Sequence, residues 1–188
     1  SEMCIRDSYY NIYKDMASKT QLAFARQVYA AAVEAKTEID PAFVTAQAML
    51  ETGWGARVIG KANLFGITKG SQWDGDIVMV KTHEYFKTPK QKFKEPDRIV
   101  SVCKVAGKNL WYYTVMRAFK DFDSVGDCLK EHERLFQKPG YKDAWPCRKD
   151  PFKFAQKICD GVGCKYATDP TYLTTITSII KTIRRKCV

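Results

Sequence analysis

The sequence predicts an α+β fold in which a mainly helical lobe and a small antiparallel β lobe flank a cleft. Three observations carry that expectation. Apolar residues recur at helical spacing from Ser18 to Lys36, from Pro41 to Leu50 and from Leu173 to Ile183. They alternate at period two in segments between Asp76 and Phe119. No repeat or low-complexity linker interrupts the chain, so residues 18–188 are expected to form a single domain. At 188 residues, 45% of them hydrophobic, the chain can bury a core without help from a metal. Residues 1–17 follow neither period at their start and are expected to be a poorly integrated N-terminal arm.

Taken in order, the first helix opens at Ser18, which with Gln21 can form a capping box, and Leu22, Ala25, Tyr29, Ala32 and Val33 mark its stripe to about Lys36. A short connection, Thr37 to Asp40, leads into the second helix. Asp40 suits the cap and Pro41 the first turn, and the run to Leu50 is apolar on nearly every face, as in a helix buried all round. Glu51 stands in its last turn. Gly53 can take the left-handed terminating conformation, and Trp54 can exclude water. The negative end of the helix dipole and an apolar surround both disfavour ionisation, so the Glu51 carboxyl is expected to have a raised pKa, as a general acid requires. The competing reading is a solvated glutamate that simply closes a core helix.

Between Gly53 and Gly75 the pattern is that of a glycine-rich loop. A strand is expected from Asp76 to Tyr85, with Val78, Val80, Thr82 and Glu84 on one face and Ile77, Met79, Lys81 and His83 on the other. A polar Lys- and Pro-containing stretch then runs to about Arg98, and further strands are expected at Ile99 to Val105 and Leu110 to Phe119. Asp123 or Ser124 starts another helix, with Val125, Cys128, Leu129, His132 and Phe136 inward; Asp150 and Pro151 open a short one to about Cys159. The last helix takes Asp169 as cap and Pro170 in its first turn, and Arg184, Arg185 and Lys186 suit the dipole at its end.

The bulk properties narrow the function less sharply. Lys and Arg outnumber Asp and Glu by 31 to 21, a net charge of +10 that favours polyanionic partners. Basic runs such as Lys87 to Lys94 also read as ordinary solvated faces, and no nucleic-acid motif accompanies them. No apolar run reaches the roughly 20 residues of a membrane span, and no signal-peptide pattern opens the chain. Seven cysteines without a Cys-x-x-Cys pair argue against zinc; Cys147, Cys159 and Cys164 allow one disulfide in an oxidising compartment or simply buried thiols. His83 and His132 are too differently placed to suggest a metal site.

A carboxylate embedded in a hydrophobic helix and followed by a Gly-Trp-Gly turn, in Ala46-Gln47-Ala48 and Leu50-Glu51-Thr52-Gly53-Trp54-Gly55, resembles the catalytic segment of the family 73 glycoside hydrolases. Asn63-Leu64-Phe65-Gly66-Ile67, Lys81-Thr82-His83-Glu84-Tyr85 and Lys165-Tyr166-Ala167-Thr168-Asp169-Pro170-Thr171-Tyr172 extend the match, with departures at His83, at Lys165 and in a longer basic insertion after Phe86. The resemblance implies a lysozyme-like fold and an endo-β-N-acetylglucosaminidase acting on peptidoglycan glycan strands. It implies no cofactor, metal or specific nucleic acid, and is consistent with a monomer that is secreted, periplasmic, wall-bound or phage-delivered.

It also implies roles. Glu51 would donate the proton, Glu84 would be the base or charge stabiliser, and Tyr166 would assist near the scissile sugar. From the residues themselves, Asn63 can bond a sugar N-acetyl group and Phe65 can stack on a pyranose face, or Leu64, Phe65 and Ile67 tuck the loop onto the core; Trp54 is expected at the substrate site. Alternatives stay open: Glu84 as half of a surface ion pair, Asp74 or Asp76 as base although an Asp-Gly turn explains them more simply, and a lytic transglycosylase or a non-catalytic wall- or polyanion-binding module for the whole chain.

Overall fold

The computed structural model describes residues 18–160, 166–167 and 169–188. The expected N-terminal arm, Cys164, Lys165 and Thr168 lie outside the described residues. The chain divides into two compact units, one running up to Arg57 and resuming at Leu129–Val188, the other Val58–Cys128.

In the first unit, α1 spans Lys19–Glu34 and begins with the expected capping box, Ser18 and Gln21 bonding each other's backbone N–H. It ends two residues before Lys36, whose φ of 53° takes the chain out of the helix. Ala25, Val28 and Ala32 form its buried stripe, whereas Val33, expected inward, is half exposed. At 3.6 residues per turn a stripe set by 25, 28 and 32 carries position 33 a further 100° around, off the core face.

Helix α2, Pro41–Thr52, is fastened as expected. Asp40 Oδ1 accepts from the N–H groups of Ala42 and Phe43, and every residue from Ala42 to Met49 is buried. Helices α3 (Val125–Phe136), α4 (Pro151–Asp160) and α5 (Tyr172–Lys186) follow in sequence. Ser124 and Asp150 cap α3 and α4 by accepting from N–H groups two or three residues on. Phe43, Phe136 and Phe154 meet edge to face with centroids 4.8 to 6.2 Å apart, the geometry that the ring quadrupole favours. His132 lies in this core, where burial pushes its pKa down to about 3 and keeps it neutral at physiological pH.

Helix α5 begins at Tyr172, later than the expected cap implies. Asp169 Oδ1 instead accepts from the N–H and hydroxyl of Thr171, and its carbonyl accepts from the Tyr172 N–H, so Asp169 fixes the turn that enters the helix.

The second unit holds the sheet. Strands β1 (Ile77–Phe86), β2 (Arg98–Lys104) and β3 (Trp111–Lys120) pair antiparallel in the order β1-β3-β2, each within about a residue of its expected bounds. The central strand is the aromatic and β-branched one, with Tyr113 and Val115 fully buried, as a strand flanked on both edges requires. In β1–β3 register, Glu84 lies opposite Tyr113 and Val80 opposite Arg117. Opposite residues share a face, so Glu84 and Arg117 project to the same side.

Candidate active site

The geometry around Glu51 starts from how α2 ends. Gly53 adopts φ 58° and ψ 50°, its N–H bonding back into the last turn, and the Trp54 N–H donates to the Met49 carbonyl at 2.8 Å. Trp54 itself stands at φ 60°, a conformation that a bulky residue takes only when its surroundings hold it. Gly55 follows at φ 88° with the Phe24 ring so close that a Cβ there would sit 2.6 Å from it. Thr52 ties the reversal together, its hydroxyl donating to the Ala48 carbonyl and accepting from the Gly55 N–H. This tight turn sets Glu51 at the helix terminus.

Glu51 as a residue is open to solvent, yet its carboxyl lies against enough protein that burial pushes its pKa above the ordinary glutamate range. Among the described residues its hydrogen-bond partner is Tyr166, whose hydroxyl donates to Oε1 at 3.2 Å and pulls the pKa partway back. Tyr166 is itself held in place. Its N–H donates to the Ile158 carbonyl, and its ring packs on Phe136 and Tyr172 with centroids 5.5 Å from each. Burial, and then the neighbouring Glu51 carboxyl, push the phenol's pKa well up, so Tyr166 stays a neutral donor.

Sequence reasoning did not single out Gln47, one helical turn before Glu51. It is fully buried, and its Nε2 donates to the Tyr172 hydroxyl at 2.9 Å. A glutamine inside an otherwise apolar helix was the available signal, since buried amides need partners. Gln47 thus links α2 to the tyrosine that backs Tyr166.

The second unit places Glu84 in the opposite kind of setting. Its carboxylate pairs with the Arg117 guanidinium at 2.5 Å, while Arg117 Nε faces Asp97 at 2.7 Å. All three side chains are less than a third exposed. Asp97 also accepts from the Ala118 N–H, so the cluster is stitched to the central strand. The pairing of Arg117 with Glu84 and Asp97 was not readable from the sequence because it depends on strand register.

Two residues expected to bind sugar have other work. Asn63 is buried, with Nδ2 donating to the Ile67 and Lys120 carbonyls and Oδ1 accepting from the Ile67 N–H, which uses both amide protons inside the unit. It clamps the loop. Trp54 is only 9% exposed, so its ring belongs to the core and offers little face for stacking. Phe65 remains partly exposed. Asp76 forms an exposed pair with Lys61, and Gly75 packs under Trp73, whose indole N–H donates to the Asp76 carbonyl, as a structural turn explains. Cys147 carries a free thiol. No group of three or more His, Cys, Asp or Glu among the described residues has the arrangement to hold a metal.

Comparison with known proteins identifies the family and the fold. Residues 27–185 match the family model described as mannosyl-glycoprotein endo-beta-N-acetylglucosaminidase. The peptidoglycan hydrolase FlgJ of Vibrio parahaemolyticus is 30% identical over 141 residues, 71% of this chain and 37% of its own length. An autolysin of Enterococcus faecalis is 32% identical over 138 residues, 72% of this chain and 16% of its own. This chain therefore spans well under half of these relatives. The glycoside hydrolase domain of Salmonella typhimurium FlgJ, C-terminally truncated, superposes with a TM-score of 0.63 at 22% identity, covering 88% of this chain and 98% of that one. The fold is the lysozyme-like α+β fold.

Proposed function

The chain belongs to the glucosaminidase family of glycoside hydrolases, and from that premise we propose that it hydrolyses peptidoglycan at the β-1,4 bond after N-acetylglucosamine. The observation that carries the reading is Glu51: a carboxyl at a helix end, open to a ligand, with its pKa raised by burial and the Tyr166 phenol donating to it. A carboxyl whose pKa is raised keeps its proton to higher pH than an ordinary glutamate, and that proton is what the departing glycosidic oxygen needs.

In this scheme Glu51 donates its proton to the leaving oxygen as the bond to the anomeric carbon breaks. Charge develops on the sugar ring, and Glu84 stabilises it or takes a proton from the incoming water, whose oxygen forms the new bond to that carbon. The Arg117 and Asp97 contacts fix the Glu84 carboxylate for that role. Tyr166 orients the acid and is replaced as its partner by substrate or water as the proton leaves. Phe65 supplies a ring for a pyranose face. The scheme needs neither metal nor cofactor, and it locates the protein, acting as a monomer, at the cell wall.

The test is mass spectrometry of fragments released from purified sacculi by the wild-type chain and by E51Q. The expected outcome is reducing-end N-acetylglucosamine from the wild type and none from E51Q. Anhydro-muramyl ends would mean a transglycosylase instead, and no release by either chain would overturn the reading.

A further inference from the structure

The mechanism leaves unused a run of exposed lysines in the second unit. The connection from β1 to β2 carries Lys87, Lys90, Lys92 and Lys94, all exposed, and none of them makes an ion pair with a carboxylate among the described residues. Only Glu95 and Asp97 oppose them within the connection, and Asp97 is already committed to Arg117 and the Ala118 N–H.

This connection is fastened, which separates it from an ordinary polar loop. The Tyr113 hydroxyl donates to the Thr88 carbonyl at 2.9 Å and accepts from the Gln91 N–H at 3.2 Å. The Phe93 ring packs against Phe86 and Tyr113 with centroids 5.9 and 6.3 Å away, and the Arg117 guanidinium lies over its face. Gln91 and Phe93 are thus half-buried and point inward, while Lys90, Lys92 and Lys94 alternate with them and point out. Like charges held side by side repel one another, and an anionic polymer relieves that repulsion along its length.

We propose that this lysine row is a docking surface for the anionic wall polymer, binding the carboxylates that peptidoglycan displays on its stem peptides. The choice of partner rests on the wall-acting function above, whereas the docking itself does not depend on Glu51. The row holds the enzyme on an insoluble substrate between cuts, and its attraction weakens with salt because the lysines are exposed.

The experiment uses the full chain carrying E51Q, so that sacculi stay intact, with and without K87Q, K90Q, K92Q and K94Q together. Co-sedimentation with purified sacculi at low salt is expected to fall by about tenfold or more in the quadruple variant, while thermal melting stays unchanged. High salt, or amidation of the sacculus carboxylates, is expected to reduce the parent to the level of the variant. Equal binding by both chains at low salt would overturn the proposal. So would a preference for a single-stranded oligonucleotide over sacculi that disappears in the variant, which would assign the row to nucleic acid. Fragment release from amidated sacculi by the chain with Glu51 intact reports on hydrolysis separately, so failure of that reading is distinguishable from failure of this one.

Discussion

Glu51 and Glu84 are the same side chain placed in opposite surroundings. At the end of α2, Glu51 accepts a hydrogen bond from the neutral Tyr166 phenol, and burial shifts it toward the protonated form. On β1, Glu84 touches a guanidinium that a second carboxylate shares, an arrangement suited to a fixed negative charge. Glycosidic cleavage asks for one carboxylic acid and one carboxylate. In the proposed scheme the helix end supplies the acid and the strand face the second carboxyl, so the contrast between their surroundings, and not residue type, separates the two roles.

Removing the acid should break the contrast most completely. E51Q is expected to lower hydrolysis of sacculi by about a thousandfold or more while leaving sedimentation with them intact, since general acid catalysis contributes on the order of 10² to 10⁴. E84Q should lower turnover by about a hundredfold, with a smaller change in binding. An unchanged rate for E84Q would return Glu84 to the role of a plain ion-pair partner.

Altering the surroundings instead of the carboxylates sharpens the comparison. R117M leaves Glu84 and Asp97 facing each other without their shared cation, and denaturant unfolding should show a loss of about 1–3 kcal/mol together with reduced turnover. Y166F removes the hydrogen bond that lowers the pKa of Glu51. Activity requires the protonated form, so it falls as pH rises through the raised pKa; in Y166F that basic limb should move to higher pH, with kcat down by roughly tenfold. A downward move would mean that the phenol acts otherwise than as a donor to Glu51.

Much of this was legible because it is local. The Asp40-Pro41 start, the Gly53 reversal and the capping box at Ser18 each rest on residues within one or two turns, and the structure reproduces them. The strand bounds follow from alternation alone. What depends on distant partners was not readable. Asn63 was expected to face a sugar, but its amide bonds the Lys120 carbonyl, 57 positions away, and closes the loop. Trp54 was expected to face substrate, but its backbone takes part in the helix-terminating turn, which carries the ring inward. Arg117 needed the β1–β3 register before its meeting with Glu84 could be seen.

The most direct test is an NMR titration of side-chain carboxyls in uniformly ¹³C-labelled protein, with the Glu51 resonance assigned by its disappearance in E51Q. The account predicts that Glu51 titrates with a midpoint clearly above the ordinary glutamate range and moves higher still in Y166F. A midpoint at or below that range in the wild type would contradict the claim that this helix end holds the proton.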